Sequence, residues 1–408
     1  MRAPNHLPFA TSSGAASASA SSKAEGAAGA GAGAAGNAPE PGPIAIVTDD
    51  KNYATWAPSF ADAIRAHVPR DAPILTDISV AQLASRTVQE RIVGVVWLSF
   101  SPAGLGEALE VEGGGIKWVQ LPSAGIEKHA AVIRAHPEII WTTAKGAFAE
   151  PVAEHGLALT LSLLRFVPAR VVATTWGPPA GNSLFRSNVV ILGAGGISLA
   201  YLALLAPFHC TAQLVRRNPG DTLDLPLHVD PERVSVHAFS ELDALLPQAD
   251  VLFLACALTD ETRHLLNART LALLAPHCVV VNVGRGGLVQ TDALVAAVRE
   301  GRVGGVGLDV TDPEPLPEGH ALFSSFALSE DGAARAVSAA APGDQLAVQR
   351  ETELSKTRAN VIITPHTADT PEMVRPLLTA RAAWNAAVLY ERSGRFEGVI
   401  RIDGEQVY

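Results

Sequence analysis

From Pro43 onward, short apolar runs alternate with segments of helical spacing, and this alternation constrains the fold more than any other feature. The runs PIAIVTDD, IVGVVWLSF, IKWVQLPSAG and IIWTTAKG occupy the first part of the chain. NVVILGAG, TAQLVRR, VSVHAF, DVLFLACAL, HCVVVNVG, VGGVGLDV and NVIITPH follow. Strands separated by helices join in parallel through crossover connections, so an α/β chain with doubly wound parallel sheets is expected. The length of 408 residues, at roughly 100–200 residues per domain, predicts two or three domains. A helical stretch opens at Pro151 (PVAEHGLALTLSLLRFV) with a long apolar face. The last one, Pro371–Ser393, carries Met373, Leu377, Ala380, Trp384, Ala387 and Val388 at helical steps, which predicts that this stripe faces the core.

Two segments stand outside the alternation. Residues 1–41 are mostly Ala, Gly and Ser, with almost nothing large to bury, and read as a disordered tail. Residues 324–357 break the rhythm. A loop that long is uncommon in a compact domain, so they read as a flexible insertion.

Charge and composition exclude several classes. Lys+Arg 31 against Asp+Glu 41 gives a net charge of −10, which argues against a nucleic-acid surface. The uncharged run Val189–Phe208 is long enough in principle to cross a bilayer, but Gly193, Gly195, Gly196, Ser198 and Pro207 interrupt it and no Lys/Arg flank accompanies it. No membrane partner is expected. Cys210, Cys256 and Cys278 are an odd set in apolar segments, which implies no disulfide framework and a reducing compartment. No Cys/His spacing suggests a metal site. A mitochondrial presequence would be Arg-rich and poor in acids, whereas only Arg2 and Lys23 are basic here and Glu25 and Glu40 intervene. A cytoplasmic protein is expected, with mitochondrial import as the minor alternative.

Chemistry enters at the strand ends. After NVVIL come Gly193, Gly195, Gly196, Ile197 and Ser198 in the run GAGGIS, opening a helical segment. Gly193 permits a tight turn, and Gly195 lets the backbone approach a pyrophosphate favoured by the helix N-terminus. Ser198 replaces the usual third glycine and is still small enough for close packing. Dinucleotide binding is the reading, and a merely structural glycine turn the alternative. The next strand ends in Arg216 and Arg217, where an NAD site places an acid. Guanidinium groups bind a 2′-phosphate through charge-assisted bonds, so NADP is favoured with NAD possible; a solvated arginine pair is the bland alternative. In VNVGRGGLV, Val283 and Gly284 precede Arg285, which lies between glycines where it can grip a carboxylate or polarise a carbonyl. Two further strand ends bring Asp309 with Glu314, and His366. An Arg, a Glu and a His at the C-terminal ends of strands in one sheet make an acid/base constellation.

Together WVQLPSAG, AEPVAEH, GAGGIS, LTDETRHLLN, VNVGRGGLV, GVGLDVTDPEPLP and NVIITPHTADT resemble the D-isomer-specific 2-hydroxyacid dehydrogenase family, from about Pro43 to Val407 apart from the insertion. The resemblance implies two Rossmann-like domains: a flavodoxin-like substrate domain at 42–150 plus 367–408, and an NAD(P)-binding Rossmann domain at 151–366. It implies Arg285 as the substrate-binding arginine, His366 as general acid/base, Glu314 as its partner acid and Asp309 near the nicotinamide. Ser123, Ala124 and Gly125 resemble the loop that holds the substrate carboxylate. The implied reaction is reduction of a small 2-oxo acid, such as glyoxylate or hydroxypyruvate, to the D-2-hydroxy acid, in a homodimer with the 151–167 helix as a contact surface. Histidine suits the proton transfer because its unperturbed pKa is about 6.5.

Departures and rivals bear on this reading. Arg216 replaces the family's usual acid, and Ala257 stands where Pro usually precedes Leu-Thr, near the expected ribose contact. Glu154 and His155 read as packing or interface groups, Cys256 as core, and Lys145 and Trp141 as candidate cleft residues. The rival from another class is a nucleotide-sensing corepressor or scaffold on the same fold, since fold does not fix function. Formate dehydrogenase is a rival within enzymes, but Glu314 occupies the position where that group resembles a glutamine.

Overall fold

Every apolar run noted above contains a strand. In the computed structural model, which describes residues 42–49, 51–174, 176, 179–323, 360–391, 394–400, 402–403 and 406–407, the strands form two parallel sheets. The N-terminal tail (1–41) and the segment 324–357 lie outside the described residues. The first sheet contains β1 (Ile44–Val47), β2 (Ile74–Ile78), β3 (Gly94–Trp97), β4 (Trp118–Gln120) and β5 (Ile140–Thr142), in the order β2-β1-β3-β4-β5. β2 has no counterpart among the apolar runs. It is an edge strand, and Ile74, Leu75 and Thr76 stay partly or fully exposed, so burial asks less of its sequence.

The second sheet contains β6 (Asn188–Leu192), β7 (Thr211–Val215), β8 (Val234–His237), β9 (Val251–Leu254), β10 (Val279–Asn282), β11 (Gly305–Leu308) and β12 (Val361–Ile363). Its order is β12-β11-β10-β9-β6-β7-β8, all parallel. β1, β3, β6, β9, β10 and β11 are buried almost throughout, as expected where helices cover both sheet faces. Strand order reverses between β1 and β3 and between β6 and β9. Such switch points leave a crevice at the C-terminal strand ends.

The uncharged run Val189–Phe208 divides into β6, the glycine turn, the helix Gly196–Leu205 and one short turn of helix. Among the described residues, no helix is long and apolar enough to cross a membrane. The long central helix, Ala149–Leu164, starts two residues before Pro151. It buries Val152, Ala153, Gly156, Leu159, Thr160 and Leu163, so its apolar face is used within the chain, against the second sheet and the Gly196–Leu205 helix. Gly156 is required there, because a Cβ would approach the Phe253 ring to 2.5 Å. Phe253 in turn stacks on Tyr201 at 3.8 Å, and the Tyr201 hydroxyl pairs with Thr160 Oγ1 at 2.8 Å.

The C-terminal helix, Pro371–Glu391, packs on the Ala57–Arg65 helix of the first sheet. Of the expected stripe Val388 is buried, but the rest of the inward face differs. Val374, Leu378, Ala382 and Ala386 point inward against Phe60 and Ile64, whereas Met373 is 50% and Trp384 42% exposed. The inward row is offset by one or two positions from the larger residues, because small side chains let the two helices approach. Burying Leu378 there contributes about 1.5–3 kcal/mol.

Candidate active site

The glycine turn closes β6 as its sequence requires. Gly193 has φ +106°, and a Cβ would meet the Ala255 carbonyl and the Cys256 backbone at 3.0 Å. Its N–H donates to the Val215 carbonyl at 2.7 Å, tying the turn to β7. Gly195 caps the Gly196–Leu205 helix, and a Cβ there would have nothing within 4 Å, so a ligand can reach this backbone. A Cβ on Gly196 would come within 3.2 Å of Ala149 Cβ and Gly146 Cα, so glycine admits the neighbouring chain. Ile197 is half-buried beside them, and Ser198 is fully buried. These features fit a dinucleotide diphosphate.

Past β7, Arg216 Nη2 lies 3.3 Å from Asp221 Oδ2, while its buried Nη1 has no hydrogen-bond partner among the described residues. Arg217 Nε donates to Glu261 Oε2 at 3.0 Å. Acids therefore stand near the arginine pair, supplied from outside the strand. Ala257 leaves its loop ordered, because Thr262 Oγ1 donates to the Ala257 carbonyl at 2.7 Å. Cys256 is partly exposed beside the turn, but burial pushes its thiol up to about 12, so it is no thiolate near neutrality.

Beyond β10, Asn282 is buried and works twice. Its Oδ1 accepts from the Gly284 N–H at 3.0 Å and its Nδ2 donates to the Arg285 carbonyl at 2.9 Å. Val283 lies in the core, and a Cβ on Gly284 would approach the Cys256 carbonyl to 3.1 Å. Arg285 projects from this clamped loop. Its Nη1 donates to the Gly284 carbonyl at 2.8 Å and its Nε to Glu127 Oε1 at 3.1 Å. Its Nη2 presses on Gly125, where any Cβ would collide with it.

Gly125 belongs to the loop after β4. There Ser123 Oγ donates to the Gly125 carbonyl at 2.7 Å, and Ala124 is exposed. The sequence-derived substrate loop and Arg285 thus meet across the two sheets. Burial would raise Glu127, but the Arg285 charge together with hydrogen bonds holds its carboxyl below the usual range.

The third element is built on Asp309, only 2% exposed after β11. Asp309 Oδ1 accepts from Thr364 Oγ1 at 2.6 Å and from the Thr367 N–H at 2.9 Å; Oδ2 accepts from the Ala368 N–H at 3.1 Å. The loop after β12 therefore wraps this carboxylate and presents His366, whose φ is +53°. His366 N–H donates to the Asp309 carbonyl at 2.9 Å. Its Nδ1 pairs with Glu314 Oε1 at 2.6 Å.

Trp141 is buried in the first core, its Nε1 donating to the His136 carbonyl, so it does not line the cleft. Lys145 is exposed at the end of β5. Glu154 is exposed, but His155 Nε2 pairs with Thr364 Oγ1 at 2.9 Å and lies 3.5 Å from Asp309 Oδ1, so it braces the histidine loop. Sequence reasoning missed Glu127, Asn282 and Asp369. Burial raises the Asp369 carboxyl, against the pull of His366 and Arg285, and it is a half-buried acid to which both groups are close enough to contribute. Only its spacing of three residues after His366 would have flagged it.

The model of the NAD-binding domain of D-isomer specific 2-hydroxyacid dehydrogenases matches residues 157–328, which include the glycine turn, Arg285, Asp309 and Glu314. An uncharacterized protein of Corynebacterium melassecola is 34% identical over 270 residues, covering 64% of this chain and 75% of that one. A glyoxylate/hydroxypyruvate reductase of Arabidopsis thaliana is 33% identical over 184 residues, 43% of this chain and 54% of its own. The match thus spans about half the length of that reductase. Among solved structures, a Thermus thermophilus protein aligns with TM-score 0.57 and 25% identity over 87% of this chain and 99% of its own. A D-isomer specific 2-hydroxyacid dehydrogenase from Xanthobacter autotrophicus, solved with NADPH and MES, has the same fold at TM-score 0.63 and 20% identity, over 88% of this chain and 98% of its own. Sequence match and fold agree: the chain belongs to the D-isomer-specific 2-hydroxyacid dehydrogenase family.

Proposed function

We propose that this protein reduces a small 2-oxo acid, such as glyoxylate or hydroxypyruvate, to the D-2-hydroxy acid with NADP(H). The 2.6 Å pair between His366 Nδ1 and Glu314 Oε1 is the observation that carries this reading, and the charges of both His366 and Arg285 reach Asp369. With Nδ1 donating to the carboxylate, Nε2 is left to exchange a proton with the substrate. Reduction at C2 places negative charge on the C2 oxygen, and a proton donor at that atom lowers the barrier. His366 gives its Nε2 proton to that oxygen, while Glu314, paired with Nδ1, orients the ring and fixes the tautomer. In the oxidative direction the same nitrogen accepts the proton.

Arg285 neutralises and aligns the 2-oxo acid against the N–H groups of Ser123, Ala124 and Gly125. When bound, the nicotinamide nucleotide supplies the two electrons at C2. Gly193, Gly195, Gly196 and Ile197 would hold its diphosphate at the helix N-terminus, and Val283, Gly284 and Asp309 would line its nicotinamide end. The orphaned Nη1 of Arg216 supports NADP over NAD. Residues 42–150 with 367–408 would form the substrate domain and 151–366 the nucleotide domain, a division supported by the two separate sheets. Exposed Val171, Val172, Trp176 and Phe185 support a homodimer contact. The protein would work in the cytoplasm.

Family membership favours this reading over a sensor or scaffold. Steady-state oxidation of NADPH and NADH with glyoxylate, hydroxypyruvate and a bulkier aryl 2-oxo acid tests it. Turnover of a small substrate with NADPH is expected; nucleotide binding without turnover of any substrate would overturn it.

A further inference from the structure

Arg285 is held at two of its three nitrogens before any substrate arrives. Nη1 donates to the Gly284 carbonyl of its own loop at 2.8 Å, and Nε donates to Glu127 Oε1 at 3.1 Å from the loop after β4. A guanidinium is planar, so two bonds on different nitrogens fix both its position and its tilt. The remaining nitrogen, Nη2, faces Gly125, the residue that leaves space for it. The anchor therefore comes from the same short loop that would receive the substrate carboxylate.

Stability alone does not explain this pair. The Glu127 side chain is 65% exposed and that of Arg285 35%, and ion pairs so open to water contribute little to folding. The pair does join the C-terminal end of β4 in one sheet to that of β10 in the other, across the space where the substrate would sit. The Arg285 charge also opposes protonation of Glu127, so the anchor stays ionised at neutral pH.

We propose that Glu127 is a positioning residue: its carboxylate, bound to Arg285 Nε, aims the guanidinium at the Ser123–Gly125 loop so that Nη1 and Nη2 meet the substrate carboxylate already oriented. The inference rests on the reading of Arg285 as the substrate arginine. It gives Glu127 a role in binding the 2-oxo acid and none in binding the nucleotide. A carboxylate that merely occupied Arg285 would act in the opposite sense, competing with the substrate.

The test compares Glu127→Ala, Glu127→Gln and Arg285→Ala with the wild type in the full chain, reading KM for glyoxylate, KM for NADPH, kcat and the melting temperature. Glu127→Ala is expected to raise KM for glyoxylate about ten-fold, the scale of one charge-assisted hydrogen bond, with KM for NADPH unchanged. Glu127→Gln keeps an acceptor for Nε and is expected to stay within roughly three-fold of wild type. An unchanged or lower KM for glyoxylate in Glu127→Ala overturns the proposal, the lower value marking a competing carboxylate. A KM that rises equally in both variants also overturns it, since the acceptor would then not matter. If Arg285→Ala loses turnover while Glu127→Ala is unmoved, only the Glu127 inference falls. If Arg285→Ala keeps full turnover, the functional reading falls and takes this inference with it.

Discussion

Asp309 accepts a 2.9 Å hydrogen bond from the backbone N–H of Thr367, the residue next to His366 in the chain. With Thr364 Oγ1 and the Ala368 N–H also bound to it, this buried carboxylate shapes the whole loop that presents the imidazole. His366 adopts a left-handed backbone, uncommon for a residue with a Cβ, and such conformations persist where the surroundings over-determine them.

Replacing Asp309 by Ala should therefore act on both fold and site. Three donors lose their acceptor; exposed Thr367 can turn to water, while the other two cost about 1–3 kcal/mol each, so a net loss of roughly 2–6 kcal/mol is expected. Denaturant unfolding measures it, and kcat should drop at least about ten-fold because His366 is no longer held. A variant with normal kcat would show that the loop orders without this carboxylate.

Arg216 bears on cofactor choice. Removing its guanidinium in Arg216→Ser should raise KM for NADPH by about ten- to a hundred-fold, the scale of one or two charge-assisted bonds, and leave KM for NADH within a few-fold. Asp221, already 3.3 Å from Arg216 Nη2, would then be free to accept from a ribose hydroxyl. Equal changes for both nucleotides would separate Arg216 from the 2′-phosphate.

Acid stability should report a second carboxylate. The hydrogen bond from His277, at 2.9 Å, and another from the Asn188 N–H hold the Asp250 carboxyl below its usual range against the effect of burial. A lowered pKa in the folded state means the stabilisation is complete above the unfolded value of about 3.9 and is lost as pH falls through the folded value. Unfolding midpoints measured from pH 7 downward should fall less steeply below about pH 4 in Asp250→Asn than in the wild type. Parallel curves would remove Asp250 from the acid transition.

The β-α alternation made the sheets legible, because buried parallel strands must be apolar throughout. The edge strand β2 escaped since Ile74 and Leu75 are only partly buried and Thr76 is exposed. The C-terminal helix was legible as a helix but not in rotation: Met373 and Trp384 are large yet outside, and Ala382 and Ala386 are small and inside. Hydrophobicity alone does not reveal that a close helix–helix contact needs small residues. Gly193, Arg285, Glu314 and His366 could be singled out because each follows a strand end in a known kind of motif, and folding does bring His366 to Glu314. Glu127 was not, and of His155 only a packing role was expected and not its partner, since their partners lie 158 and 209 residues away in sequence and are met only through folding.

The central claim is that His366 donates the proton. Replacing it by Gln preserves a polar group of similar reach and removes the acid. Single-turnover oxidation of saturating NADPH with glyoxylate should slow by about 10²–10⁴-fold in His366→Gln, with nucleotide affinity unchanged. A rate within a few-fold of wild type would contradict the account, because the proton would then come from elsewhere.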